Sequence, residues 1–159
     1  MHGSCWLYSM EYIQHIFLAD DDPDDRVLFY EAIRITAPQA HISLAGNGSE
    51  LVDQLLESIR SDWRMVFLDI NMPVQNGHEC LQQIRNHPLL CTLPVFIYST
   101  SENPADIDLA YTIGADYYIY KPSSFNYLLD MVRGIFSLNR WVHQRPTRNE
   151  FVLRSLAGA

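Results

Sequence analysis

A chain of 159 residues, 48% hydrophobic and 19% charged with no low-complexity tract, is sized for one folded domain with its own core, which excludes a disordered polymer. A formal charge of −8 argues against nucleic acid as a direct partner, no apolar run approaches the roughly 18 residues of a membrane span, and the opening MHGSCWLYS lacks the basic start and apolar stretch of a secretory signal. Cys5, Cys80 and Cys91 show no CxxC spacing, so neither a disulfide framework nor a zinc site is indicated, and a reducing, cytoplasmic compartment is expected.

Residues 1–10 are expected to be an N-terminal extension, and the fold is expected over residues 11–138. Ile13 to Ala19 is a short apolar run, expected as a first buried strand, and it ends in Asp20, Asp21 and Asp22 before Pro23. Pro suits the first helical position and Asp the cap before it, so Asp22 is expected to cap a helix reaching about Thr36, with Asp24 and Asp25 favouring its positive end. Asp20 and Asp21 are left over at the strand's carboxyl end. A second strand near His41 to Ala45 leads to the turn Asn47-Gly48, and Ser49 is the expected cap of a helix carrying Leu51, Val52, Leu55, Leu56 and Ile59.

Met65 to Asp69 reads as the third strand. Pro73 and Gly77 then hold off a helix until His78, and Cys80, Leu81 and Ile84 follow the helical period towards Asn86. Leu93 to Ser99 is the fourth strand, ending in the hydroxyls Ser99, Thr100 and Ser101. A helix from Pro104 to Ile113 closes on Gly114, suited to a left-handed cap. Tyr117 to Tyr120 is the fifth strand, followed at once by Lys121 and Pro122, and a last helix starts near Ser124. Residues 139–159 are expected as a C-terminal extension forming one short amphipathic helix through Phe151, Val152, Leu153 and Leu156. Arg140, Arg145, Arg148 and Arg154 against Glu150 make it basic; a solvated end is the default expectation, with an acidic partner or the chain's own acidic body as alternatives.

Five strands alternating with five helices through short loops form the pattern of an α/β fold with a doubly wound, five-stranded parallel sheet. Right-handed crossovers bring the strand ends bearing Asp20, Asp21, Asp69, Ser99 and Lys121 to one edge, where ligands bind in such sheets. Three carboxylates in one small space resist full ionisation. Magnesium resolves that repulsion, because it takes few protein oxygens and leaves a position for a phosphoryl oxygen. Ser99 can donate to such an oxygen, and Lys121 can pair with Asp69 at rest and with a phosphoryl group afterwards. These are the parts that phosphoryl transfer needs, with Asp69 as nucleophile.

Asp20-Asp21 after strand one, Leu68-Asp69 with Met72-Pro73 and Gly77 after strand three, Ser99 after strand four, and Lys121-Pro122 after strand five together resemble the receiver domain of two-component response regulators. The resemblance runs from about residue 13 to 138. It implies the flavodoxin-like (βα)5 topology, and phosphorylation of Asp69 by a histidine kinase or phosphotransfer protein. It further implies that Asp20 and Asp21 hold Mg2+, that Asp21, Asp69 and the backbone carbonyl of Asn71 ligate it, and that Ser99 and Lys121 contact the phosphoryl oxygens. Tyr118 falls at the switch-aromatic position of the family, working with Ser99; otherwise it is a packed strand aromatic, with Tyr117 and Tyr120 expected on the other face. The Lys121–Pro122 bond is implied to be cis.

The resulting expectation is a stand-alone signalling module, not an enzyme beyond the chemistry at its own Asp69, whose phosphorylation switches its own surface around the fourth helix, fifth strand and last helix and so its affinity for a downstream protein. A phosphorelay carrier and a phosphorylation-independent scaffold are the alternatives, and a homodimer through Trp141 and residues 151–153 is a further expectation. Rival chemistries fit less well. An EF-hand loop fails because Asp25 stands where Gly is required and Pro23 intrudes. A magnesium phosphatase would want a second Asp where Asn71 stands, and a nucleotide-binding fold lacks its glycines, since DDDPDD follows the first strand.

Overall fold

The computed structural model describes residues 15–59, 63–138 and 145–154. Short apolar runs form the strands β1 (His15–Ala19), β2 (His41–Ala45), β3 (Arg64–Leu68), β4 (Val95–Ser99) and β5 (Tyr117–Tyr120). Between and after them lie α1 (Pro23–Thr36), α2 (Gly48–Glu57), α3 (Gly77–Asn86), α4 (Pro104–Ile113) and α5 (Phe125–Ser137). A two-residue strand, β6 (Val152–Leu153), follows, and the sheet order is β2-β1-β3-β4-β5-β6 with every pairing parallel. The sheet is therefore the expected one extended by a strand.

Alternation along each strand splits the core between the two faces of the sheet. Phe17, Val66, Leu68, Val95, Ile97 and Tyr118 pack against α2, α3 and α4 on one face. On the other, Ile16, Leu18, Phe67, Phe96, Tyr98 and Ile119 pack against α1 and α5. The strand ends carry polar groups to one edge because the ladders stop in step. Ala19 pairs with Leu68, and one residue further on the Asp69 amide donates to the Ala19 carbonyl at 2.9 Å. The Asp20 amide donates to Ala45 at 3.0 Å, and the Lys121 amide to Ser99 at 3.0 Å.

Helix starts follow capping chemistry. Asp22 accepts from the Asp24 amide at 2.9 Å with Pro23 in the first turn, and Gly114 closes α4 at φ +116°. α2 departs from expectation: its cap is Asn47, whose side chain accepts from the Glu50 amide at 2.9 Å. Ser49 thus lies inside the first turn.

The tail departs further. Where a helix through residues 151–156 was expected, the Phe151 carbonyl accepts from the Tyr118 amide at 2.9 Å and β6 extends the sheet beside β5. An open strand edge offers unpaired donors and acceptors that a two-residue strand can satisfy, whereas a lone helix would leave them to solvent. Leu156, Trp141 and Arg140 lie outside the described residues. Phe151 is fully buried, 5.1 Å from the Tyr111 ring and 6.2 Å from that of Tyr118, so this one of the residues expected at a homodimer contact is enclosed by the chain itself. Two of the basic residues pair with the domain at its surface: Arg148 Nε lies 2.8 Å from Asp108, and Arg145 stacks over Tyr111 at 3.9 Å.

Two smaller expectations are corrected. Tyr117 faces the opposite layer, but Tyr120 shares the Tyr118 face with rings 5.7 Å apart, as two residues' spacing in a strand requires. The Lys121–Pro122 bond is trans, the isomer an X–Pro bond prefers by about 0.5–1 kcal/mol when nothing opposes it.

Candidate functional site

Asp69 is delivered by β3 into a loop whose shape depends on a missing side chain. The Gly77 amide donates to the Ile70 carbonyl at 2.9 Å, and a Cβ on Gly77 would overlap the Asp69 carbonyl and lie 2.7 Å from Ile70 Cα. The same loop holds Val74 at φ +68°, a left-handed conformation that costs a β-branched residue energy. The backbone that presents Asp69 is therefore tightly specified.

Asp20 and Asp69 are both buried, while Asp21 is exposed, and one oxygen of each lies within 4.8 Å of the others. Asp20 is fixed from several sides: its Oδ1 accepts from the Asp22 amide at 3.0 Å, and its carbonyl from Arg26 at 2.7 Å. Burial pushes its carboxyl up from 3.8 to about 6, against the opposing hydrogen bond and charge of Lys121. Asp20 Oδ2 is buried and lies 2.7 Å from Lys121 Nζ.

Lys121 reaches across from β5. Its Nζ lies 2.7 Å from Asp20, 2.8 Å from Asp25 and 3.1 Å from Asp69, over the Tyr98 ring at 5.6 Å. Burial alone would lower the ammonium, but hydrogen bonds to Asp20 and Asp25 and the Asp69 charge raise it above its ordinary value. Asp25 was expected only as an acid at the helix start; its α1 position, one turn beyond Asp21, was the available signal for a second role.

Ser99 is buried at the end of β4, and its Oγ accepts from the Ser101 amide at 3.2 Å. Tyr118 is also fully buried, and its hydroxyl donates to the Ser101 carbonyl at 2.8 Å. Burial raises that hydroxyl to about 12, opposed by hydrogen bonding to Ser99 and Ser101. The structure thus brings Asp20, Asp21, Asp69 and Lys121 into one cluster and links Ser99 to Tyr118. Asn71 lies exposed in the loop, two residues beyond Asp69.

The donor set fits a hard divalent cation. It consists of carboxylates alone, and its three acids exceed what one lysine neutralises. Chemically, such a cluster presents a carboxylate nucleophile, and Lys121 together with a cation held among the acids would neutralise an incoming phosphoryl group.

Residues 16–133 match the family model described as the response regulator receiver domain. The two-component response regulator ORR41 of Oryza sativa subsp. japonica is 31% identical over 109 residues, which is 69% of this chain and 84% of that protein. Some relatives are longer: the chain spans 25% of a probable cyclic di-GMP phosphodiesterase of Vibrio cholerae, at 31% identity. Among solved structures, the phosphorylated cyanobacterial phytochrome response regulator RcpA superposes with a TM-score of 0.70 at 29% identity, covering 84% of this chain and 99% of that one. The Mn(2+)-bound form of response regulator Rcp1 has a TM-score of 0.69 at 26% identity, with the same coverage.

Proposed function

Since this chain belongs to the response regulator receiver domain family, a family of two-component signalling, we propose that Asp69 is its phosphoacceptor and that phosphorylation there switches a protein-binding surface. The observation that carries this is the Asp69 carboxylate, within 4.8 Å of Asp20 and Asp21 oxygens and 3.1 Å from Lys121 Nζ. An Asp69 oxygen attacks the phosphorus of a phosphohistidine, the P–N bond breaks, and the imidazole leaves with its electron pair. Lys121 and the Ser99 hydroxyl donate to the transferred oxygens. Asp20, Asp21, Asp69 and the Asn71 carbonyl would hold Mg2+, which when bound supplies charge neutralisation and orientation. The donor is a histidine kinase or histidine phosphotransfer protein. The chemistry is confined to the chain's own Asp69.

The switch in this proposal runs from Ser99 through Ser101 to Tyr118, since the two side chains share the Ser101 backbone. A Ser99 drawn towards a phosphoryl group shifts the support of the Tyr118 hydroxyl, and with it the surface formed by α4, β5 and α5. Residues 145–154 already cover part of that surface. Cys80 and Cys91 are free thiols, which suits a reducing compartment, and we assign the protein to the cytoplasm. Among the described residues no helix is long and apolar enough to cross a membrane.

Incubation with Mg2+ and a small acyl phosphate is expected to add one phosphoryl group to the wild-type chain and none to Asp69→Asn. Equal labelling of the two would move the acceptor elsewhere.

A further inference from the structure

We infer that Asp25 is a positioning residue for the Asp69 chemistry: it holds Lys121 away from the acids when they carry a metal, which favours metal loading and weakens the grip on the phosphoryl group. This rests on the assignment of Asp69 as phosphoacceptor. The ammonium has three N–H donors and faces three carboxylates at 2.7, 2.8 and 3.1 Å. Asp20 and Asp69 belong to the cation-binding group, and Asp25 does not. A divalent ion among the acids repels the ammonium beside them, and Asp25 is the remaining carboxylate that can take it. Asp25 comes from α1, whereas Lys121 follows β5, so the ion pair spans separate elements.

When Asp69 gains a phosphoryl group, its local charge becomes more negative and draws Lys121 back. Asp25 then acts twice against the product, by competing for the ammonium and by repelling the phosphoryl oxygens. An acid that merely favoured the positive end of α1 would do neither.

The test compares the full-length wild type with Asp25→Asn and Asp25→Glu. Magnesium affinity is read by calorimetry, and affinity for beryllofluoride, a phosphoryl mimic, by fluorine NMR at magnesium concentrations saturating for each variant. Asp25→Asn is expected to bind magnesium more weakly and beryllofluoride more tightly, each by roughly threefold to tenfold. Asp25→Glu is expected to stay near wild type. A loss that was only structural would weaken both. Unchanged or weaker beryllofluoride binding by Asp25→Asn, with a wild type that binds it, overturns the role of Asp25. A wild type that fails to bind the mimic overturns the Asp69 assignment itself.

Discussion

Burial and charge oppose each other at Asp20. Its carboxyl is fully enclosed, and burial raises it from 3.8 to about 6 even with Lys121 at 2.7 Å. Between those values the folded chain holds more protons than the unfolded one, so this group's stabilisation is complete below 3.8 and is lost as pH rises through about 6. Urea unfolding of the metal-free protein between about pH 4 and about pH 7 is expected to show the fall, and Asp20→Asn to flatten it by on the order of 2 kcal/mol. Parallel profiles for the two proteins would contradict this. Metal binding has the opposite sign, since it requires the ionised carboxylate, and should strengthen through the same window. Asp20, Asp69 and Lys121 were readable in the sequence because each directly follows a strand. The contact between Asp25 and Lys121 was not, because a helix-start acid needs no other explanation and the partner lies 96 residues away.

The sixth strand is the element on which local pattern and structure part company. Phe151-Val152-Leu153 suits a helical stripe or a strand equally, and the unpaired edge of β5 decides between them. Phe151 then fills the space between Tyr111 and Tyr118. Phe151→Ala is expected to release this segment before the domain unfolds. The measurement is amide hydrogen exchange at Tyr118, which donates to the Phe151 carbonyl: exchange should quicken there and stay slow at Ile97, inside the sheet. Unchanged protection at Tyr118 would mean that the segment stays docked without its aromatic anchor. Elements whose determinants are local are legible in the sequence. Pro104 to Gly114 shows its Pro start and Gly stop outright, whereas at α2 two capping residues two positions apart competed and Asn47 prevailed.

At the scale of the molecule, parallel strands with matched ends turn motifs scattered over about 100 residues into one cluster. The five alternating strand and helix patterns, with polar residues at the strand ends, made both the architecture and the acid site readable. What stayed hidden depends on packing between distant segments: the tail over β5 and the arginine contacts with Asp108 and Tyr111. Three acids from two separate strands, Asp20, Asp21 and Asp69, are likewise gathered at one edge of the sheet, where a bound cation would compensate them. All of this chemistry requires that Asp69 carry the phosphoryl group. Borohydride reduces an aspartyl phosphate to homoserine, so treatment of the phosphorylated full-length protein, followed by peptide mass spectrometry, locates the acceptor. Homoserine is expected at position 69 alone; homoserine at position 20 or 21, or none in a protein that has taken up phosphate, would place the phosphoryl group elsewhere.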